Sequence, residues 1–229
     1  MPEPTLKINE IYLSVQGESS YVGLPCVFIR LTACDLRCTY CDTTYAFTEG
    51  SPMTLEAILK KTESYGCKLV EITGGEPLLQ QNVLPLMAEL CDRELTVLLE
   101  TSGAHDISGI DPRVVRIMDL KTPGSGECAK NLLENIPHLQ SKDEVKFVIG
   151  SREDYEWSRE TVKKHGLYRK VNTILFSPVF RHVGLKGQTT GHLGIDPKLL
   201  VDWILEDKLP VRFQLQLHKF VWPPNQRGV

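Results

Sequence analysis

The hydrophobic pattern along the chain alternates between two periods. Short runs rich in Val, Ile and Leu read as buried strands: Pro25 to Ala33, Leu69 to Thr73, Leu95 to Glu100, Val115 to Leu120, Val145 to Ile149, Val171 to Ser177 and Val211 to Leu217. Stretches of helical spacing lie between them. Thr54 to Tyr65 is expected to be a helix, with Thr54 as N-cap and Gly66 just past its end. Leu79 to Arg93 is expected to be helical and bent by Pro85. Ser151 to His165 reads as an amphipathic helix, capped by Ser151 and stopped at Gly166, and Pro197 to Glu206 as another. Arg181 to His192 is glycine-rich and polar and reads as a flexible loop. No repeat or low-complexity segment interrupts the pattern.

Strands alternating with helices imply βαβ units and a parallel sheet covered by helices on at least one face. Ligands in such architectures sit at the C-terminal ends of the strands. The polar and glycine-rich segments fall there: Thr73-Gly74-Gly75-Glu76-Pro77, Glu100-Thr101-Ser102-Gly103, Asp119-Leu120-Lys121 and Ser177-Pro178. They are expected to converge on one rim.

Composition narrows the class. The 229 residues suffice for one sizeable core, and the net charge of −3 argues against a nucleic-acid partner. No apolar run is long enough to span a bilayer. The N-terminal Met1-Pro2-Glu3-Pro4 has neither the basic nor the apolar region of a signal peptide, so a cytoplasmic location is expected. The seven cysteines are odd in number, which makes a disulfide framework a poor reading and metal binding a better one.

Three of those cysteines form Cys34-Asp35-Leu36-Arg37-Cys38-Thr39-Tyr40-Cys41, a C-x3-C-x2-C loop directly after the first buried strand. Soft thiolates favour zinc or an iron–sulfur cluster. Structural zinc wants four closed ligands. Three local cysteines leave one position open, which on a four-iron cluster is an iron free to bind a small molecule. The competing reading is a zinc site completed by Cys26, Cys67, Cys91, Cys128 or a histidine. Cys26 and Cys91 read instead as small apolar core residues, and Cys67 and Cys128 have no partner at ligand spacing.

The triad, with Tyr40 between its last two cysteines, resembles the signature of the radical S-adenosylmethionine superfamily. Gly74-Gly75-Glu76-Pro77 resembles that superfamily's GGEP element, whose backbone and carboxylate bind the methionine amino group. The resemblance implies a [4Fe–4S] cluster on Cys34, Cys38 and Cys41 and reductive cleavage of S-adenosylmethionine to a 5′-deoxyadenosyl radical. It also implies an α/β fold: a partial (βα) TIM-like barrel of about six mainly parallel strands. Residues 1–229 are expected to form one such domain with short N- and C-terminal extensions.

Further segments resemble the 7-carboxy-7-deazaguanine synthase family: Val15-Gln16-Gly17-Glu18, Gly23-Leu24-Pro25, Cys41-Asp42-Thr43 and Gln216-Leu217-His218-Lys219. That resemblance, from about Ile8 to Lys219, implies a lyase of queuosine precursor synthesis. It would convert 6-carboxy-5,6,7,8-tetrahydropterin to 7-carboxy-7-deazaguanine by hydrogen abstraction at C6, ring contraction and loss of ammonia. It implies magnesium on Thr43. Cofactor contacts are implied at Tyr40, Asp42, Gly74, Gly75, Glu76 and Gly103, at Asp119, Leu120 and Lys121 where many members carry Ser-Pro-Lys, and at Phe176, Ser177, Pro178 and Val179. Substrate contacts are implied at Val15, Gln16, Gly17, Thr101 and Pro223. Arg30, at the end of the first strand, has the planar fork to pair with the substrate carboxylate. Gln216 and His218 are expected to alternate toward the substrate on the last strand. A flavodoxin-like electron donor and a homodimer are further expectations. The alternatives are a glycyl-radical-enzyme activating enzyme, which shares the triad and GGEP, and a zinc-stabilised binding module.

Overall fold

The computed structural model describes residues 3–180, 194–223 and 226–229. The expected loop at 181–192 lies outside the described residues. The elements are β1 (Thr5–Val15), β2 (Pro25–Leu31), β3 (Ser51–Thr54), α1 (Leu55–Glu63), β4 (Leu69–Gly74), α2 (Val83–Asp92), β5 (Thr96–Thr101), β6 (Val115–Asp119), β7 (Glu144–Ile149), α3 (Arg152–His165), β8 (Thr173–Pro178), α4 (Pro197–Glu206), β9 (Arg212–Phe213) and α5 (His218–Val221). They build one sheet in the order β3-β1-β2-β4-β5-β6-β7-β8-β9. From β2 onward the spatial order follows the chain and every pairing is parallel. Successive crossovers of one hand place their helices on one face, so the other face is left to curl inward. The sheet ends in distinct edge strands, β3 and β9, and so forms an open, partial barrel.

The residues alternate accordingly. Val70 and Ile72, Val97 and Leu99, Val145 and Phe147, and Ile174 and Phe176 point to the helical side. There they pack on Ile58, Leu86, Met87, Leu90, Tyr155, Val162 and Leu200 in the main core. A second apolar cluster of Cys26, Phe28, Leu69, Leu98, Val115 and Ile117 fills the inner face toward the strand N-termini. The inner face above this plug stays polar.

The helix caps follow the expected chemistry. The Thr54 hydroxyl accepts from Ala57 N at 3.2 Å and the Ser151 hydroxyl from Asp154 N at 3.1 Å, and Gly166 ends α3 in the left-handed conformation. Cys26 and Cys91 are buried, as expected of core residues. One strand is unexpected, and two expectations need correction. The long strand β1 pairs antiparallel with β2 and β3, although its mostly half-buried pattern carries no strong strand signal. Helix α2 begins only at Val83, after a 3-10 turn over Pro77–Leu79 capped by Glu76. Pro85 therefore falls in its first turn, where a missing N–H breaks no bond, and the expected bend has no cause. The last strand is only Arg212–Phe213. Beyond it the chain leaves the sheet for the N-terminal loop: Gln214 Nε2 donates to Ser19 O at 2.7 Å and Leu217 N to Gly17 O at 2.9 Å.

Candidate active site

The inner face, the cysteine loop and the C-terminal segment enclose a cavity of about 290 Å³. Cys34, Cys38 and Cys41 all line it, together with Tyr40, Asp42 and Thr43. The loop is fixed to the next strand's turn. Gly75 lies so close that a Cβ there would sit 2.1 Å from Ala33 O and 2.7 Å from the Cys34 Cβ. Gly74, at φ +148, presses on Leu31 O in the same way. This is why glycine must both end β4 and follow it. On its other flank Thr39 N donates to Ser125 O and the Thr39 hydroxyl to Gly124 O at 2.7 Å.

The three thiols are free and partly exposed to the cavity. Burial pushes the Cys38 thiol up to about 11 and raises Cys34 and Cys41 as well, so metal loading must displace their protons. Among the described residues, no three His, Cys, Asp or Glu side chains converge on a single-ion position. Three thiols lining one cavity can hold a cluster in which each takes its own iron. The surroundings also fit a polar cofactor. Asp119 Oδ2 pairs with Lys121 Nζ at 2.9 Å, while its Oδ1 is buried without a partner among the described residues. Such an orphan acceptor calls for a donor from a bound molecule.

The deeper wall is ionic. Lys146 Nζ, on β7, meets Glu18 at 2.9 Å, Glu100 and, at 3.7 Å, Asp119. Burial opposes its charge, but Glu100 and Glu18 outweigh that and hold its pKa well above the ordinary lysine value. Glu71, on β4, accepts from Gln16 Nε2. Burial, then the Glu100 and Glu18 carboxylates, raise Glu71 well above the carboxylate range. Arg30 lines the same cavity, with Nε on Glu10 at 2.8 Å and Nη2 on the Tyr12 hydroxyl at 3.1 Å. The C-terminal segment completes the rim. Gln216 Nε2 donates to Glu18 at 2.9 Å, His218 packs against Gly17, and Lys219 pairs with Asp42 at 2.5 Å. Lys219 also holds the Asp42 carboxyl below its usual range against the opposing effect of burial.

Most expected site residues meet here. Val15, Gln16, Gly17, Arg30, Gly74, Gly75, Thr101, Asp119, Lys121, Val179, Gln216 and His218 line the cavity beside the cysteine loop. Several do not. Glu76 is fully buried beneath it, its carboxylate taken by the Thr101 hydroxyl at 2.9 Å, Ser102 N at 2.8 Å, the Ser102 hydroxyl at 2.6 Å and Leu78 N at 3.0 Å. It staples the turn after β4 to the end of β5. Gly103 backs onto Met118, and Leu120 is core. Phe176 stacks edge-on with Phe147 and Tyr155, and Ser177 and Pro178 stay within β8, so only Val179 of that segment reaches the cavity. Pro223 is exposed and off the site; the tail residues Gln226, Gly228 and Val229 line it instead. Gln216 and His218 are correctly placed but not on a strand, since β9 ends early and His218 opens α5. Glu71, Glu100, Lys146, Tyr12 and Tyr45 were not singled out by motif. For Glu71 and Glu100 the signal is a lone charge in a largely apolar strand, and for Lys146 one of two charges in β7, each at the inward position of the alternation.

Comparison with known proteins agrees with this geometry. A model of the Radical SAM superfamily matches residues 28–192. The 7-carboxy-7-deazaguanine synthase of Koribacter versatilis is 47% identical over 98% of this chain and 100% of its own length. This chain belongs to the 7-carboxy-7-deazaguanine synthase family. The family member from Chlorobaculum tepidum is 45% identical, covering 99% of both chains. The crystal structure of QueE from Escherichia coli shares the fold, with a TM-score of 0.72 at 23% identity over 93% of this chain and 95% of that one.

Proposed function

We propose that this protein is a radical S-adenosylmethionine lyase that converts 6-carboxy-5,6,7,8-tetrahydropterin to 7-carboxy-7-deazaguanine with loss of ammonia. One observation carries the reading: a single cavity is lined both by Cys34, Cys38 and Cys41 and by Gln16, Arg30, Thr101, Gln216 and His218. The cysteines would hold a [4Fe–4S] cluster, and Asp119, Lys121, Gly74, Gly75, Tyr40, Asp42 and Val179 would surround the cofactor. When bound, these groups supply one-electron cleavage of the sulfonium and hydrogen abstraction from C6 of the substrate.

The chain's own residues bind, orient and exclude water. Arg30 would pair with the substrate carboxylate. Glu18 and Glu100, with Gln16 and neutral Glu71, would meet the N–H donors of the pterin's amino-pyrimidinone edge. Lys146 keeps those carboxylates from repelling one another. Thr43 and Asp42 offer hard oxygen donors beside Cys41, and Mg2+ held there would be completed by substrate oxygens. Val229 and its neighbours close the rim against solvent. A homodimer, a flavodoxin-type reductant and a cytoplasmic location belong to the same proposal.

The test is anaerobic reconstitution, expected to give about four irons and four sulfides per chain. Reduced protein with S-adenosylmethionine, Mg2+ and substrate is expected to release 7-carboxy-7-deazaguanine and ammonia. Formation of 5′-deoxyadenosine alone, with the pterin unconsumed, rejects the substrate assignment.

A further inference from the structure

We propose that Glu10 and Tyr45 are positioning residues that aim the Arg30 guanidinium at the substrate carboxylate, and that a β-bulge in the first strand exists to put Glu10 there. The inference rests on the reading of Arg30 given above.

The pairing of β1 with β2 carries it. Ile8 faces Leu31, but Glu10, not Asn9, faces Arg30, and the register is regular again from Ile11 opposite Ile29. One residue is therefore inserted between Ile8 and Glu10. In an unbroken strand, residues two apart share a face. Here Ile8 lies in the main core with Leu31, and Ile11, three residues later, also packs against that core. Glu10 falls on the opposite, inner face with Arg30, as does Tyr12, which stacks on Phe28 at 5.1 Å. Were this same sequence paired without the bulge, every side chain from Glu10 onward would change face. Ile11 would enter the cavity and Glu10 the apolar core. A bulge next to a binding site commonly re-aims one side chain in this way.

The re-aimed carboxylate binds two groups through one oxygen. Glu10 Oε1 accepts from Arg30 Nε at 2.8 Å and from the Tyr45 hydroxyl at 2.9 Å. Tyr45 is itself covered by Arg227, whose Cζ lies 3.8 Å from the ring centroid and whose guanidinium pairs with Glu49 at 2.7 Å. Glu10 thus occupies the Nε edge of Arg30, and Tyr12 takes one Nη2 hydrogen. What remains is the Nη1–Nη2 edge, the end-on fork that grips a carboxylate bidentately. A guanidinium on a long, flexible stem does not hold such an aim unaided. Glu71 and Glu100 line the same cavity and would compete for it if it were released.

The test compares binding of two unreactive probes, 6-carboxypterin and pterin, to the holoenzyme with S-adenosylmethionine and Mg2+, by titration calorimetry. The ratio of their affinities isolates the carboxylate. Arg30→Lys is expected to cut this ratio about thirty-fold, Glu10→Ala about ten-fold and Tyr45→Phe about three-fold, with pterin affinity unchanged, as loss of bidentate and then of supporting hydrogen bonds would give. Glu10→Gln, which keeps an acceptor oxygen, should recover part of the loss. If Arg30→Lys collapses the ratio while Glu10→Ala and Tyr45→Phe leave it at the wild-type value, the positioning role is wrong. If Arg30→Lys itself leaves it unchanged, the carboxylate assignment of Arg30 fails first. Tyr45→Phe removes one hydroxyl, so it keeps the test open should Glu10→Ala not fold.

Discussion

The two faces of one sheet are built from neighbouring residues of the same strands, yet they do opposite things. On β4, β5, β6 and β7 the outward residues Ile72, Leu99, Met118 and Phe147 are wholly buried against helices and strand neighbours. One residue away, Glu71, Glu100, Asp119 and Lys146 face the cavity. The outward face gains stability simply by excluding water. The inward face places four ionisable groups where water is scarce: Lys146 offsets Glu100 and Asp119, and burial favours the protonated form of Glu71. Fold and chemistry are thus separated by a single step along each strand, and substitutions on the two faces should fail differently.

The largest contrast should come from Cys38→Ala. Iron binding after reconstitution and product formation are expected to fall below detection, while the thermal midpoint of the metal-free protein stays within a degree or two of wild type, since Cys38 contributes little to either apolar cluster. Large destabilisation of the metal-free protein would mean that the triad serves the fold. Phe147→Ala is the opposite case. It empties a site packed between Phe176 and Trp157, and should cost about 3–5 kcal/mol in denaturant unfolding. The fraction that remains folded should keep its iron content, and loss of iron in that fraction would show that the two faces are not independent.

The outward face is also the legible one. Strands β2, β4, β5, β6, β7 and β8 stand out because their apolar runs are bounded by turn residues, and α3 because Ser151 and Gly166 mark both ends. The cysteine loop is legible because three like ligands at short spacing have few other uses. What escapes the sequence depends on contacts distant along the chain. Glu76 looks like a ligand group until Thr101 and Ser102 are seen to consume its oxygens. The end of β9 is dictated by Gln214 bonding to Ser19, 195 residues away. The bulge before Glu10 leaves no mark in composition; it is visible only in the register with β2.

The middle prediction tests the neutralisation itself. Lys146→Met leaves Glu18 and Glu100 facing each other without their shared cation. Because both carboxylates keep some contact with cavity water, the cost should be about 2–3 kcal/mol, below that of a fully buried broken pair. Adding Glu100→Gln should recover part of it, since one of the two stranded charges is removed. A double variant no more stable than Lys146→Met alone would show that Lys146 acts through packing rather than charge.

Glu71→Gln should give the smallest effect and the most informative sign. Burial and the neighbouring carboxylates raise the folded-state pKa of Glu71 above its unfolded value. For an acid this means that the folded protein holds the proton more tightly than the unfolded chain. Stability therefore falls as pH rises from the unfolded carboxylate range, about 4.3, toward the raised value. Glutamine has the shape of the neutral acid and no proton to lose, and its side-chain oxygen still accepts from Gln16. The variant should match wild type at acid pH and become more stable as pH rises through neutrality. The difference between the two thermal midpoints should widen as pH rises from the unfolded carboxylate range and level off once the folded-state carboxyl ionises. A difference that stays constant and near zero above that range would mean that the folded-state pKa is not raised, and a constant deficit of the variant would mean that Glu71 is held as a carboxylate by Lys146. In the latter case the inner face would be balanced by one more negative charge than the geometry implies.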